Sequence, residues 1–516
     1  MYRVTAYRGH IRNHKALCRE LGVDSALSRK EKEEAILVAS YRKWGTQCGL
    51  YLHGSFACVL TEAETDTTVL LRDPFGTKTL YYYLTGDGQL LCGTHISDIT
   101  SREGFEKKLN ERMLQLYLSL TYPGGEETFF EGIKKVMPGH IAIFAQGELT
   151  VERYWKPEYR PDDSRTTSDF ADELHETLRV IVRELEEDGA PAGSFLSGGV
   201  DSAYVLSMSG AARAYGVGYD DERLDESRLA EATADILGRK FIRRVVKPEE
   251  YFAIVPFVVR HMEQPLGDAS AIAFALGARA ASEDLDRENV TDKVIYSGEG
   301  SDEFFGGYHI YANAEKYGDR LRQSYAGNTN IMKEEEKRDL LRQYIRGVTP
   351  AQLTAPLYDE TEGCDPLTRM CDVDIRLWLE GDIYLNVDRM SHAAGIEVRM
   401  PLTDVRIFDI ASRIPSSLKV KDGVSKPVIR AAAAKNLPEE AAYRKKLGFV
   451  VPIRYWLADE RHNADVRALL HSDLSSRFFR QNELDRMLGA YLGGYSDLWR
   501  RVWAVYIFLV WMRENF

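Results

Sequence analysis

The chain has few cysteines for its length, and none of them shows the spacing of a metal site. Its 516 residues include six cysteines, and no two form a Cys-x-x-Cys pair. This excludes the common zinc-site patterns. We therefore expect reduced cysteines that fill the interior and have no catalytic role: Cys18, Cys48, Cys58, Cys92, Cys364 and Cys371.

Long apolar runs, basic blocks and internal repeats are also absent. No stretch reaches membrane-spanning length, and residues 1–20 scatter arginine and histidine where a signal peptide would have an apolar core. The formal net charge of −12 disfavours a nucleic-acid surface, for which a basic patch is expected. These absences predict a cytoplasmic protein with neither a membrane nor a nucleic acid as partner.

The order of the elements predicts two domains. Residues 1–160 show two helical patterns, at 13–21 and 29–44, followed by short strands, and the polar segment 156–165 is the best linker. From 166 to 516, strands alternate with helices and then give way to a mainly helical end. This pattern predicts an α/β fold with a doubly wound parallel sheet and a helical extension. The predicted strands are 50–60, 68–72, 80–84, 89–93 and 140–144, then 193–196, 214–218 and 293–296.

The most informative segment, residues 194–204, runs an apolar strand into a Ser-Gly-Gly turn and then into a helix. Gly198 and Gly199 carry no Cβ to block a phosphate, and the N–H groups of the turn and the helix start favour an anion. The hydroxyls of Ser197 and Ser202 can donate to the same oxygens. The turn predicts phosphate binding; the alternative is a tight strand-to-helix connection capped by Ser202.

Asp201 in the same turn limits the class of phosphate ligand that can bind. A carboxylate repels a bare phosphate, so we interpret Asp201 as a magnesium ligand. The turn also lacks the Gly-Lys-Ser/Thr ending of the loop that holds a transferred γ-phosphoryl group. Together these features predict bound magnesium pyrophosphate, from a nucleotide cleaved between its α and β phosphates.

A second glycine-rich loop, residues 296–308, follows another apolar strand and places three carboxylates close together. Glu299, Asp302 and Glu303 repel one another unless a cation or strong donors share the space. We interpret Asp302 as the second magnesium ligand, and Glu299 as the group that handles a proton or orients an attacking amine. The alternative is a solvated turn with a helix cap.

Two lysines and one acid–base pair complete the candidates. Lys426 and Lys446 are cations that could stabilise departing pyrophosphate. Glu397 and Arg399 are two residues apart, so a strand would place them on one face, as a functional or a structural pair. His392 is better explained as a packed or capping histidine than as a base.

Together these segments resemble the asparagine synthetase family of ATP-dependent, AMP-forming amide ligases. Residues 197–202 look like its pyrophosphate loop, residues 297–308 like its second active-site loop, and residues 444–449 like its lysine motif. Residues 70–78 and 138–140 are similar to its glutaminase domain. The resemblance implies a pyrophosphatase-type synthetase domain at 166–516, after a partial Ntn-type (α+β) glutamine amidotransferase-like domain at 1–160.

The resemblance also implies cofactors and residue roles. ATP and Mg²⁺ would be bound, with Asp201 and Asp302 as metal ligands. Glu299 would serve the amide-forming step, and Lys446 would stabilise the activated intermediate. β-Lactam-forming relatives carry tyrosine in place of Glu299, so this chain favours an ammonia-type nucleophile. The implied nucleotide-binding set is Phe195, Ser197, Gly198, Gly199, Asp201, Ser202, Val217, Ser297, Gly298 and Lys426.

The N-terminal part departs from the family pattern. Tyr2 stands where the family's nucleophilic cysteine is expected, and a tyrosine cannot replace it. Arg8, His10 and Glu33 replace the expected oxyanion-stabilising Asn, a Glu and a glutamine-binding Asp. The resemblance also implies that the chain begins well inside the domain, as a mis-called start codon would cause. We therefore expect glutaminase activity to be lost.

These expectations combine into one hypothesis with two alternatives. The main hypothesis is a ligase that adenylates a carboxylate, most simply the β-carboxylate of aspartate, and forms an amide with ammonia or another amine. A separate subunit could supply the nitrogen, and a homo-oligomer is possible. The alternatives are a natural-product amide ligase or peptide cyclase of the same fold, and a non-catalytic ATP-binding relative.

Overall fold

The computed structural model describes residues 2–221, 223–421, 423–445, 448 and 450–516. The predicted catalytic residue Lys446 lies outside the described residues. Residues 2–155 are called the N-terminal unit below, and the residues described from 166 onwards are called the C-terminal unit.

The N-terminal unit contains two antiparallel sheets. The larger has the order β1-β2-β3-β7-β8 and the smaller the order β5-β4-β6. Its strands are β1 Arg3–Ile11, β2 Gly54–Glu62, β3 Thr67–Arg72, β4 Tyr81–Leu84, β5 Leu90–Gly93, β6 Lys134–Lys135, β7 His140–Ala145 and β8 Glu148–Arg153. Its helices are α1 His14–Leu21, α2 Arg29–Trp44, α3 Ser97–Thr100 and α4 Glu111–Leu120.

Strand β2 shows how this unit is layered. Its alternate residues Phe56 and Cys58 pack in a core with Ile36 and Leu37 of α2, whereas Val59 faces a second core on the other side of the sheet. Period-2 alternation in a strand with both faces buried needs apolar residues on both sides, and this strand has them. The arrangement confirms the predicted α+β architecture of this part.

The C-terminal unit is built on a parallel sheet with the order β11-β10-β9-β12-β13. The chain moves from the central strand β9 outwards to β11, then crosses back to β12 on the other side. This confirms the predicted doubly wound sheet, whose order reverses between β9 and β12. The strands are β9 Gly193–Phe195, β10 Arg213–Gly218, β11 Lys240–Val245, β12 Val294–Tyr296 and β13 Glu397–Arg399.

Helices cover this sheet and continue into a helical extension. The long helix α5 begins with a capping box in which Thr166 accepts from Asp169 N. The covering helices are α5 Thr167–Leu185, α6 Val200–Met208, α7 Ser227–Ile236, α8 Pro248–Met262 and α9 Ser270–Arg287. The extension contains α10 Ser301–Phe305, α11 Leu321–Ser324, α12 Glu334–Leu340, α13 Pro350–Glu360, α14 Pro366–Val373, a π-helical segment Asp374–Tyr384, α15 Leu385–Ala393, α16 Val405–Arg413, α17 Ser416–Lys419, β14 Val420–Lys421, β15 Val424–Ser425, α18 Pro427–Ala433, α19 Glu439–Ala442, α20 Ile453–Trp456, α21 Glu460–Leu470, α22 Asp473–Phe478, α23 Gln481–Leu492 and α24 Trp499–Asn515.

Helix α24 is buried on all sides along residues 502–512. It packs against α8 and also against α4 of the N-terminal unit, within one continuous hydrophobic cluster. A helix that is apolar on all sides needs packing partners on every face.

No helix in the described part of the chain combines the length and the apolarity needed to cross a bilayer. The predicted domain boundaries at 160 and 166 stay predictions.

Several predicted elements match and a few were wrong or missed. The helix predicted at 29–44 coincides with α2. The strand predicted from residue 50 begins only at Gly54, because Gly45–Leu50 forms a 3₁₀ turn. Strands β1, β8 and β11 were missed; each lies at a sheet edge, where one side is free of strand partners and polar residues interrupt the apolar pattern.

Candidate functional site

The loops after β9 and β12 meet at the carboxyl edge of the parallel sheet. Strands β9 and β12 are neighbours, with Tyr296 paired to Ser194. The loop after β12 approaches α6 so closely that a Cβ at Gly298 would lie 2.7 Å from the backbone nitrogen of Ser202. Glycine is therefore needed at position 298. The two predicted loops stand side by side where the strand order reverses.

The Ser-Gly-Gly turn is organised by its two serine hydroxyls. Ser202 Oγ accepts from Ser197 N and donates to the Gly199 carbonyl, both at 3.2 Å, while Ser197 Oγ accepts from Gly199 N at 3.4 Å. The turn's N–H groups are thus partly engaged, in bonds at the long end of the normal range. Phosphate oxygens could replace these contacts at the start of α6, where Gly198 and Gly199 leave room.

Lys426 brings the two predicted metal ligands together. Its Nζ lies 2.6 Å from Asp201 Oδ2 and 2.6 Å from Asp302 Oδ1. Ser301 donates a hydrogen bond to the other carboxylate oxygen of Asp201. Lys426 is only 2% exposed and directly precedes α18. The fold therefore joins three segments that are distant in sequence around one ammonium group.

Asp201 and Asp302 are suitable ligands for a magnesium ion held jointly with phosphate. Mg²⁺ is usually bound by one or two carboxylates together with substrate phosphates, rather than by a cage made of protein alone. Within the described residues, no group of three or more His, Cys, Asp or Glu could hold a metal. The two carboxylates converge on the Lys426 ammonium, so this position accommodates positive charge. Magnesium binding here stays a prediction.

A first cavity of about 180 Å³ lies over the ends of β9 and β10. Phe195 and Val217, the predicted adenine-binding positions, line it together with Ser297 and Gly298. The Phe195 ring packs against the ring of Phe274, with centroids 5.2 Å apart. A mainly apolar slot with a few polar groups is typical of a small-molecule site. Residues that the sequence did not single out also line it: Tyr215, Glu226, Ser270, Phe274, Gly277 and Asn386.

A second cavity of about 530 Å³ adjoins the first. Glu299 and Asp302 line both cavities and therefore stand at their junction. Lys426 and Arg430 line the second cavity and do not line the first. Glu299 is half-buried and accepts a hydrogen bond from Ser297 Oγ at 3.2 Å. The structure thus places the predicted proton-handling carboxylate between two connected compartments.

Glu303, the third acid of this loop, is held in a different state. Burial and the nearby charge of Asp302 raise the pKa of Glu303 to about 8. Its Oε1 accepts a hydrogen bond from Tyr308 at 2.5 Å, and Trp378 Nε1 donates to the Tyr308 hydroxyl at 3.1 Å. Because Tyr308 and Trp378 line the second cavity, Glu303 supports its wall as a neutral acid at pH 7.

Glu397, Arg399 and His392, whose roles the sequence did not decide, lie outside both cavities and make mainly structural contacts. Arg399 Nε donates to Glu397 Oε1 at 2.6 Å, and the Arg399 carbonyl accepts from Ser297 N at 3.0 Å. This pair on β13 therefore supports the loop that carries Ser297. His392 is exposed and its ring lies 5.3 Å from that of His95, away from both cavities.

The substituted positions of the N-terminal unit are engaged within the protein. Arg8 Nη2 forms an ion pair with Asp388 at 2.9 Å. The Glu33 carboxylate accepts from Tyr7, from the backbone of Ile11 and from Arg29, at 2.7 to 2.9 Å. His10 is 2% exposed and its ring nitrogens have no hydrogen-bond partner among the described residues. Arg8 and Glu33 are therefore paired within the protein, and His10 is buried in its interior.

Comparison with known proteins follows the same division of the chain. A family model described as "Asparagine synthase" matches residues 173–513, and one described as "Glutamine amidotransferase domain" matches residues 2–155. The chain is 30% identical to "Asparagine synthetase [glutamine-hydrolyzing] 1" of Bacillus subtilis (strain 168), over 99% of this chain and 85% of that protein.

Two further relatives are more distant. "Asparagine synthetase [glutamine-hydrolyzing] 3" of Bacillus subtilis (strain 168) is 26% identical, over 93% of this chain and 81% of that protein. "Amidase chyE" of Penicillium rubens (strain ATCC 28089 / DSM 1075 / NRRL 1951 / Wisconsin 54-1255) is 25% identical, over 84% of this chain and 72% of that protein. From the extent of the first family model and of the 30% identical relative, the chain belongs to the asparagine synthetase family and is a carbon–nitrogen ligase.

Proposed function

We propose that this protein activates a carboxylate with ATP and Mg²⁺, forms an amide, and releases AMP and pyrophosphate. The observation that carries the proposal is the shared wall of the two cavities, where Glu299 and Asp302 line both. A nucleotide in the first cavity and a carboxylate in the second would meet there. The simplest substrate is the β-carboxylate of aspartate.

The first step needs positive charge where pyrophosphate leaves. A carboxylate oxygen attacks the α-phosphorus of ATP, and the bond from that phosphorus to the bridging oxygen breaks. Asp201 and Asp302 would hold Mg²⁺, which when bound neutralises the phosphate oxygens. Lys426, already between these carboxylates, would bind the departing pyrophosphate, while Ser197 and Ser202 donate hydroxyl hydrogen bonds to it.

The second step needs a group that handles a proton. An amine attacks the acyl carbon of the adenylate, the bond to the AMP oxygen breaks, and the nitrogen loses a proton. Glu299, which lines both cavities, is the carboxylate we assign to orient the amine and accept that proton. Lys446 is assigned to the activated intermediate by family resemblance alone.

We further propose that glutamine is not the nitrogen source. The Glu33 carboxylate takes three hydrogen bonds from its own unit, and Arg8 is committed to Asp388. Both side chains are therefore already held by contacts within the protein, and Tyr2 offers no thiol to attack glutamine. Ammonia or another amine would supply the nitrogen.

The test is a substrate panel with separate readouts. Purified protein is incubated with ATP, Mg²⁺ and aspartate, with ammonium or glutamine, and AMP, asparagine and glutamate are measured. We expect AMP and asparagine with ammonium only, and no glutamate from glutamine. Glutamate release would overturn the nitrogen proposal. ATP–pyrophosphate exchange that depends on another carboxylate would overturn aspartate as substrate and retain adenylation.

A further inference from the structure

Among the described residues, five ion pairs with a buried carboxylate join the two units, and all have the same polarity. The cations come from the N-terminal unit, and the carboxylates, each at most 2% exposed, come from residues 380–404 of the C-terminal unit. The pairs are Arg8–Asp388, Lys78–Asp388, Arg12–Asp404, Arg72–Glu380 and Lys135–Glu380, with N···O distances of 2.8 to 2.9 Å.

The acidic partners belong to a segment that also forms the site. Ile383, Asn386 and Val387 lie in the same segment and line the first cavity. Asn386 is 5% exposed, and its Oδ1 has no hydrogen-bond partner among the described residues. The segment 380–404 therefore contacts the N-terminal unit through its carboxylates and lines the first cavity through its other residues.

One of these pairs connects to Glu299 through a single residue. Arg12 Nη2 lies 2.8 Å from Asp404 Oδ2 and also donates to the Thr403 carbonyl at 3.5 Å. Thr403 Oγ1 in turn donates to the Glu299 carbonyl at 3.2 Å and contacts the Tyr384 hydroxyl at 2.9 Å. Two hydrogen-bonded contacts thus link a guanidinium of the N-terminal unit to the backbone of Glu299.

The contact at Thr403 is close enough to fix the loop. A Cβ at Gly300, the residue after Glu299, would lie 2.5 Å from Thr403 Oγ1. Gly300 has a φ of +90°, which a side chain at this position would strain. Both the backbone path and the packing therefore hold residues 299–300 against Thr403.

We propose that Arg12 is a positioning residue for Glu299, so that the N-terminal unit sets the geometry of the amide-forming step. The proposal rests on the function assigned to Glu299 above. A guanidinium fits this task because it is always charged and its Nη2 carries two N–H donors, which face the Asp404 carboxylate and the Thr403 carbonyl. Asp404 also pairs with Arg406 at 2.9 Å, so removing Arg12 does not leave this carboxylate alone.

The chain contains a matched control for this test. Arg153 also belongs to the N-terminal unit and pairs with Glu360 of the C-terminal unit at 3.0 Å, but both side chains are about one-third exposed (29% and 33%). Arg153→Met therefore removes the same type of inter-unit contact outside the path to Glu299. Arg12→Met, Arg12→Lys, Thr403→Val and the double variant Arg12→Met/Thr403→Val complete the set.

Two rates are measured for each variant: aspartate-dependent ATP–pyrophosphate exchange, and amide formation with ammonium. We expect Arg12→Met and Thr403→Val each to slow amide formation by about tenfold to hundredfold, the scale of a small misplacement of a catalytic group, with exchange much less affected. Arg12→Lys should recover part of the rate. The double variant should be no slower than the worse single variant, because both changes break one path.

Each other outcome has a defined meaning. Equal behaviour of Arg12→Met and Arg153→Met, equal losses in both rates, or additive losses in the double variant would overturn the positioning proposal. A wild-type protein without exchange and amide formation would instead overturn the proposed function, and the positioning proposal with it. If Arg12→Met does not fold, as judged by circular dichroism, Arg12→Lys decides, and equal losses in its two rates would overturn the positioning proposal.

Discussion

The buried carboxylates of the C-terminal unit have opposite surroundings at the candidate site and at the contact between the two units. Where they meet, carboxylates such as Asp388 and Glu380 are matched by cations, and these neighbours lower the pKa of each acid although burial alone would raise it. In the C-terminal site, Glu303 is equally buried but faces Asp302, and its pKa rises to about 8. The buried ion pairs between the two units, called the frame below, thus hold carboxylates that cations match, whereas Glu303 lies at the candidate site beside another acid.

The largest effect is expected from Asp302→Asn in the site. Loss of one carboxylate at the Lys426 position removes a proposed metal ligand, and we expect exchange to fall by about 10²–10³-fold, the scale for removing one preorganised electrostatic group. ATP–pyrophosphate exchange is measured at several Mg²⁺ concentrations.

Asp163→Asn, at an exposed position before α5, is the control and should retain wild-type exchange. Unchanged exchange in Asp302→Asn would contradict the metal assignment and remove the contrast between the frame and the site.

The next effect concerns the frame. Glu380→Gln leaves Arg72 and Lys135 buried without their carboxylate, and breaking a buried pair in this way typically costs about 3–5 kcal/mol. Glu360→Gln, whose partners Arg153 and Arg376 are partly exposed, should cost only about 0–1 kcal/mol. Chemical denaturation gives both values, and similar losses in the two variants would argue against matched charge as the frame.

The third prediction uses pH to separate the two kinds of acid. Glu303 has a raised pKa in the fold, so its contribution to stability is complete below its ordinary value of 4.5 and is lost as pH rises towards 8. Glu380 has a lowered pKa, so its contribution is present at neutral pH and is lost only as pH falls below about 4.

The measurement is the melting temperature of the wild type and of Glu303→Gln between pH 6 and pH 9. The variant mimics the protonated acid, and its melting temperature should fall less than that of the wild type over this range. Parallel curves would show that Glu303 does not titrate there.

The smallest expected effect lies in the phosphate turn. Ser202→Ala removes a hydroxyl that joins Ser197 N to the Gly199 carbonyl, and a single neutral hydrogen bond contributes about 1 kcal/mol. We expect KM for ATP to rise by about fivefold, since 1.4 kcal/mol corresponds to tenfold. Ser207→Ala, further along α6, is the control, and a loss equal to that of Asp302→Asn would indicate a structural role for Ser202.

The sequence singled out residues that the fold brings together at the sheet edge, although their roles stay predictions, and it did not indicate the frame. The two loops follow apolar strands and combine glycine with acids or hydroxyls, so local pattern alone indicated Asp201, Glu299 and Asp302. Lys426 was chosen for its charge, and the fold shows why it belongs with them. Phe274 carried no signal, because an apolar residue in a helix reads as ordinary core.

The ion pairs of the frame could not be predicted from the sequence, because their partners are far apart along the chain. Arg8 and Lys78 are separated from Asp388 by 380 and 310 residues, and only the packing of two units brings them together. A lone arginine or lysine reads as solvated surface until its buried partner is known. Edge strand β11 was missed similarly, because Arg243 and Arg244 interrupt the apolar residues that signal a strand.

The bridge formed by Lys426 has a consequence for the order of events at the site. An ammonium between Asp201 and Asp302 offsets one of their two negative charges and so reduces the repulsion between the two loops before any metal arrives. The two carboxylates are therefore already side by side before the substrates bind. When Mg²⁺ and nucleotide bind, the Lys426 ammonium would turn from the carboxylates towards the phosphate oxygens, as its proposed role with pyrophosphate requires.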